Sequence, residues 1–134
     1  MSFPSALARV EYSCFITTMS RIQAQQDAQL TRAALPLLTL TLIADEESYG
    51  YQLIERLADL GLEVTTGLMY PLLSRLERDG LVSTRMVPST SGPPRKYFAL
   101  TPAGHSARES VKEQWQVVAT AVHAATEKEH TPHV

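Results

Sequence analysis

The chain has 134 residues, 44% of them hydrophobic and 19% charged, with a formal net charge of −2 at pH 7. This composition predicts one domain's worth of soluble globular protein with a hydrophobic core. No stretch approaches about 18 uninterrupted apolar residues, so we expect neither a transmembrane span nor a membrane partner.

The first residues, MSFPSALARVEYSCFITT, do not resemble a secretory signal, since Arg9 and Glu11 interrupt the apolar run. We therefore expect a cytoplasmic protein. Its single cysteine, Cys14, excludes an internal disulfide and is expected to be inert. The segment 1–26 is predicted to be a partly mobile N-terminal extension, with Met19 as an alternative start.

Two helices are predicted next. Residues 27–44 are leucine-rich and long enough for a buried helix, although LTLTLI also fits a strand and Pro36 would bend a helix. The segment DEESYGYQLIERLADLG predicts a second helix with Ser48 as its N-cap and Gly61 as its stop. Its apolar stripe consists of Leu53, Ile54, Leu57 and Leu60.

A third helix is predicted from about Gly67 to Asp79, with an irregular opening at Pro71. Its core-facing positions follow the spacing i, i+3, i+4, i+7 and are Met69, Leu72, Leu73 and Leu76. The opposite face carries Gly67, Pro71, Ser74 and Arg78, flanked by Tyr70 and Arg75.

The remaining pattern predicts a hairpin and a long helix. LVSTRMV and RKYFAL are expected to be strands joined by a projecting PSTSGPP loop, and Thr101-Pro102 opens a helix that runs to residue 127. The fold class is mainly α (α+β): a winged helix-turn-helix in residues 27–101, a C-terminal dimerisation helix in residues 102–127 and a tail in residues 128–134.

Positive charge is concentrated in residues 64–100, which hold five Lys/Arg and two acidic residues, whereas the rest of the chain holds seven and twelve. A basic helix and hairpin in an acidic protein indicate a polyanionic partner, because phosphate contacts supply most of the affinity for nucleic acid. We therefore predict double-stranded DNA as the partner.

Three runs, SYGYQL, GLMYPLLSRLERDGLV and GPPRKYFALTPAGH, resemble the PadR-type transcriptional regulators in order and spacing, over residues 28–126. The single C-terminal helix resembles their small subfamily. This resemblance implies a homodimeric cytoplasmic repressor that binds an inverted-repeat operator and releases it when an effector binds. One departure is Leu68, where the family usually has the hydroxyl of Thr or Ser.

Side chains near the start of an inserted helix read the major groove. The candidate DNA-binding residues are Tyr49, Thr65, Thr66, Gly67, Tyr70, Arg75, Arg95 and Lys96. Alternatives remain open for several of them: Thr66 as a helix cap, Tyr70 packed under the wing, Tyr49 as a buried aromatic residue instead of a phosphate donor, and internal ion pairing of Arg75 and Arg78.

The last helix carries apolar residues spaced 4, 3, 4 and 3, which is a heptad seam: Val111, Trp115, Val118, Val122 and Ala125. Such a seam predicts a homodimer, whose symmetry matches a palindromic site. The alternative is that the seam folds back on residues 27–44.

A multidrug-responsive branch of the resembled family has a tryptophan ten residues after the LTxxGH motif, and His105 and Trp115 have this spacing. The resemblance implies a small aromatic effector in a pocket formed by Val111, Trp115 and Val118, with plain dimer packing as the alternative.

No enzyme motif or cofactor site is present in the sequence. A metal-responsive regulator remains an alternative on the basis of His130, His133, Glu127 and Glu129, although these tail residues are expected to be solvated and no metal site is predicted. A winged helix used only for protein contacts is the other alternative. An acidic or apolar third helix would indicate it, whereas this helix retains arginines.

Overall fold

The structure is a computed structural model, and it describes residues 28–128. The expected N-terminal extension and all but the first residue of the tail lie outside the described residues. In chain order the elements are α1 (28–45), β1 (Ser48–Tyr49), α2 (Gly50–Asp59), α3 (Thr66–Arg78), β2 (Val82–Ser89), β3 (Gly92–Leu100) and α4 (Pro102–Lys128). This is the predicted mainly α fold with a small antiparallel sheet in the order β1-β3-β2.

The chain divides into two units between Leu35 and Pro36, within α1. Of the first unit the structure describes residues 28–35, which are helical. All packing reported below belongs to the second unit. No helix between residues 28 and 128 combines the length and the apolar character needed to cross a membrane.

The leucine-rich segment is a helix and not a strand. Thr39, Leu40 and Ile43 are buried, at positions i, i+1 and i+4, whereas the side chains of Thr41 and Leu42 are only half-buried. This is the period of a helix, so the alternation LTLTLI is coincidental.

Helices α2 and α3 form the helix-turn-helix. Gly61 has a φ of 90°, and the amides of Gly61 and Leu62 bond to carbonyls of the last turn of α2 at 2.9 Å, which confirms the predicted stop. The four predicted core residues of α3 are buried, at 7% exposure or less.

Two details of the second helix were predicted wrongly. Ser48 is not its N-cap, because it lies in β1 opposite Phe98 and its hydroxyl donates to the Glu46 carbonyl. Helix α2 begins at Gly50, after Tyr49, which makes no side-chain cap bond. Leu60 is 60% exposed, since it follows the last helical residue and leaves the apolar stripe.

Arg56 explains why Ser48 is held in this position. Its guanidinium donates to the Ser48 hydroxyl at 2.8 Å, to the Leu42 carbonyl at 2.9 Å and to the Asp45 carboxylate at 3.0 Å. One side chain of α2 therefore fastens the end of α1 and strand β1.

The hairpin of β2 and β3, here called the wing, is longer than predicted. Strand residues occupy most of the predicted PSTSGPP loop, and the turn is reduced to Thr90 and Ser91. The strands tolerate their prolines because the register shifts between Val87 and Ser89, as in a β-bulge, and because β1 pairs with β3 only at Tyr97 and Phe98.

Helix α4 is anchored at its start. The Thr101 hydroxyl accepts a bond from the Gly104 amide at 3.0 Å, which confirms the predicted N-cap, and donates to the Gly80 carbonyl at 2.6 Å. A Cβ at Gly104 would lie 2.0 Å from the Leu81 carbonyl oxygen, so this packing requires glycine. Every residue from 112 to 127 is exposed.

Candidate nucleic-acid interface

The start of α3 presents small polar groups to solvent. Thr65, Thr66 and Gly67 are exposed, whereas the neighbouring Val64 and Met69 are buried and anchor this end of the helix. Thr65 occupies the N-cap position without a side-chain cap bond, so Thr66 is not the cap either. The amides of Leu68 and Met69 both bond to the Thr65 carbonyl at 3.1 Å, which is the tight opening expected before Pro71.

Tyr70 packs against the start of α2. A Cβ at Gly50 would lie 2.7 Å from Cε1 of the Tyr70 ring, so the glycine makes room for the tyrosine. The side chain is still 46% exposed. Tyr70 therefore packs on Gly50 while part of the residue stays in contact with solvent.

The two predicted basic residues of the wing, Arg95 and Lys96, have different surroundings. The Arg95 guanidinium lies over the Tyr49 ring, 4.5 Å from its centroid. The Lys96 ammonium forms an ion pair with the Glu77 carboxylate of α3 at 2.8 Å. Within residues 28–128, no carboxylate lies within 4.0 Å of Arg95.

Glu77 links α3 to both strands of the wing. Its carboxylate accepts bonds from Lys96 at 2.8 Å and from the Thr84 hydroxyl at 3.2 Å. The bond from Lys96 lowers the pKa of the Glu77 carboxyl below its ordinary value. Desolvation opposes this shift, and the Thr84 bond and the positive charge of Lys96 add smaller lowering effects.

A groove with a volume of about 290 Å³ lies between the start of α2, helix α3 and strand β3. It is lined by Tyr49, Gly50, Tyr70, Leu73, Ser74, Glu77, Pro94, Arg95, Lys96 and Phe98. The structure thus brings together four of the predicted DNA-binding residues: Tyr49, Tyr70, Arg95 and Lys96. Thr65, Thr66, Gly67 and Arg75 do not line it, although they belong to the same helix-turn-helix.

The remaining arginines differ in their partners. Arg75 is exposed, and no acidic group of the described segment lies within 4.0 Å of it. Arg78 is 4.0 Å from Asp79, and both side chains are exposed. Arg85 pairs with Glu47 at 2.6 Å, a contact between residues 38 positions apart that the sequence pattern did not indicate.

Within residues 28–128, little covers the predicted dimer seam. Trp115, Val118 and Val122 are 43%, 57% and 56% exposed, and Val111 is half-buried. Val117, which is not part of the predicted heptad seam, is 70% exposed. A pocket shared by Val111, Trp115 and Val118 of two chains stays a prediction.

Within the described range the structure shows no group of three His, Cys, Asp or Glu side chains arranged to hold a metal ion. The alternative metal ligands His130, His133 and Glu129 lie outside it.

The chain matches the family model "Transcriptional regulator PadR-like family" over residues 39–110. It is 41% identical over 80 residues to the transcriptional regulator Rv3488 of Mycobacterium tuberculosis, in an alignment covering 59% of this chain and 73% of that protein.

Solved structures are also similar to this chain. A PadR family transcriptional regulator from Eggerthella lenta has a TM-score of 0.75 and 32% identity, covering 83% of this chain and 97% of that one. A PadR-like transcriptional regulator from Bacillus cereus has a TM-score of 0.66 and 34% identity, covering 73% of this chain and 96% of that one.

Proposed function

Because the chain belongs to the PadR-like family of transcriptional regulators, we propose that it is a homodimeric repressor that binds an inverted-repeat DNA operator and releases it when an effector binds. Members of this family are transcriptional regulators and not enzymes. The fold agrees with this assignment, since a winged helix-turn-helix presents one helix and one hairpin to DNA.

The arrangement around α3 is the main support for DNA binding. Thr65, Thr66 and Gly67 are exposed where the helix begins, and an α-helix inserted in the major groove reads bases from that end. Arg75 and Arg95 add exposed positive charge beside it. Because neither has an acidic partner within the described segment, both can bind phosphate without first breaking an ion pair.

The exposed seam of α4 supports the dimer. Several large apolar side chains of this helix stay exposed among the described residues, and such a surface is unfavourable in water. A second copy that packs its own α4 on this seam would cover it symmetrically. Two-fold symmetry then places two α3 helices on half-sites separated by about one turn of DNA.

The effector is the most specific element of the proposal. Trp115 lies in the middle of the seam and is 43% exposed, so its ring is available at the dimer centre. An aromatic ligand between two such rings would change the distance between the two helix-turn-helix units. That change would alter their fit to the half-sites and lower the affinity for the operator.

The test is selection of duplexes from a random DNA pool by the full-length protein, followed by footprinting on the selected site. We expect enrichment of an inverted repeat with two protected half-sites and an affinity that falls steeply with salt. Failure to enrich any duplex in low-salt buffer would contradict the proposal. Planar aromatic dyes titrated against the Trp115 fluorescence test the effector separately, and unchanged emission would remove that part.

A further inference from the structure

The outer face of the wing carries an alternating row of charged and aromatic side chains. Tyr49 in β1 lies opposite Tyr97 in β3, and their rings meet edge to face with centroids 5.4 Å apart and an interplanar angle of 61°. Successive strand residues point to opposite faces, so Arg95 shares the face of Tyr97, while Lys96 and Phe98 belong to the face toward α3.

Arg95 and Arg85 lie at the two ends of this aromatic pair. The Arg95 guanidinium is 4.5 Å from the centroid of Tyr49, and the Arg85 guanidinium is 5.6 Å from that of Tyr97. Arg85 is also bound to the Glu47 carboxylate at 2.6 Å. Within the described residues Arg95 has the ring but no carboxylate, so its charge is oriented without being neutralised.

A guanidinium stacked on an aromatic ring keeps its donors available, because the N–H groups lie in its plane and the contact uses its flat face. Stacking also orders the long Arg95 side chain before DNA binds, so less rotamer freedom is lost on binding. Arg95 is therefore prepared to donate to a phosphate. Lys96 instead has its ammonium bonded to Glu77.

We infer that Tyr49 is a positioning residue whose ring holds Arg95 ready to bind a DNA backbone phosphate, while Lys96 fastens the wing to α3 through Glu77. This inference rests on the proposed DNA-binding function. It assigns different roles to two adjacent basic residues that the sequence presents as a pair, and it gives Tyr49 a role through its ring and not through its hydroxyl.

The ligand is the phosphodiester group. Arg95 is also one of the residues that line the groove. A hydrogen bond between a guanidinium and a phosphate is charge-assisted and stronger than one between neutral groups. The contact is independent of base sequence and fixes the wing on the duplex.

The experiment is a double-mutant cycle in the full-length protein, with the duplex selected above as the probe. We expect Arg95→Ala to weaken binding about tenfold or more and to make the salt dependence shallower by about one ion. Tyr49→Leu should weaken binding about threefold in the wild-type background and have no effect in the Arg95→Ala background. Tyr49→Phe keeps the ring and should bind within about twofold of wild type.

Two controls separate positioning from general damage. Tyr51→Leu removes another tyrosine of the same region, one that is 55% exposed and does not line the groove, and should leave binding unchanged. Lys96→Met should lower thermal stability while changing the salt dependence less than Arg95→Ala does. Thermal melting of each variant shows whether it remains folded.

The outcomes are distinguishable. If the wild-type protein binds no duplex, the proposed function fails and the inference fails with it. If the wild type binds but Tyr49→Leu is equally harmful with and without Arg95, the positioning role is wrong. Equal losses for Tyr49→Phe and Tyr49→Leu would assign the effect to the hydroxyl and overturn the inference. An equal loss of salt dependence in Lys96→Met and Arg95→Ala would overturn the division of roles.

Discussion

The helix-turn-helix with its wing and the second half of α4 differ in how much of their structure the single chain completes. In the first region, core side chains such as Leu53 and Met69 are fully buried, and the side chains of Arg56, Glu77 and Thr101 bond to residues 14, 19 and 21 positions away. In the second, every residue from 112 to 127 is exposed. The first region can therefore fold by its own contacts, whereas residues 28–128 supply no surface that covers the second.

The largest effect is expected in the first region, the helix-turn-helix with its wing. Leu73→Ala removes a core side chain that is 1% exposed and should lower the free energy of unfolding by about 3 kcal/mol, from lost burial and a residual cavity. Chemical denaturation at several protein concentrations measures it. The neighbouring Ser74→Ala is the exposed control and should change stability by less than about 0.5 kcal/mol.

The next prediction concerns the second half of α4. Val118→Asp places a charge in the middle of the proposed seam and should weaken dimerisation roughly 100-fold, because a carboxylate without a partner is costly to bury. Sedimentation velocity across a dilution series measures the change. Gln116→Asp, on the opposite side of α4, should leave the dimer intact. An unaffected dimer in Val118→Asp would show that the interface lies elsewhere.

The joint between the two regions is tested by Gly104→Ala. The new Cβ would lie 2.0 Å from the Leu81 carbonyl oxygen, so the start of α4 must move away from Leu81, which lies between α3 and β2. We expect a loss of about 1 to 3 kcal/mol in unfolding free energy, as for other overpacking changes. Gly92→Ala meets no atom within 4 Å and is the matched control. Equal melting temperatures for the two variants would contradict this packing.

The smallest effect concerns the link between Glu77 and Lys96. The pKa of Glu77 is lowered in the folded protein, so the link stabilises the fold above the ordinary carboxyl pKa of 4.5 and is lost as the pH falls through the lower folded value. Glu77→Gln should therefore melt slightly below wild type at pH 7 and approach it in acid. A difference that does not depend on pH would assign the effect to packing instead.

Features that depend on residues close together in the sequence were predicted correctly, whereas features that depend on distant residues were missed. The four buried positions of α3, the Gly61 stop and the Thr101 cap depend on neighbours within about one helical turn, and all were predicted correctly. The two-residue strand β1 was missed, since Ser48 pairs with Phe98, 50 positions away.

The candidate site was predicted less completely than the fold. The sequence marked Tyr49, Tyr70, Arg95 and Lys96, and all four line the groove. It did not separate Arg95 from Lys96, because their difference depends on Tyr49 and on Glu77, 19 residues before Lys96. The extent of the wing was also misjudged, since proline in a strand is tolerated only where the pairing partner is absent or shifted.

The central claim is that two chains joined along α4 bind one DNA duplex through α3 and the wing. Sedimentation velocity of the full-length protein with a fluorescently labelled selected duplex tests it most directly. We expect a dimer at micromolar concentration and a complex of two chains per duplex that dissociates as salt is raised. A strictly monomeric protein, or one that leaves the duplex unbound in low-salt buffer, would contradict it.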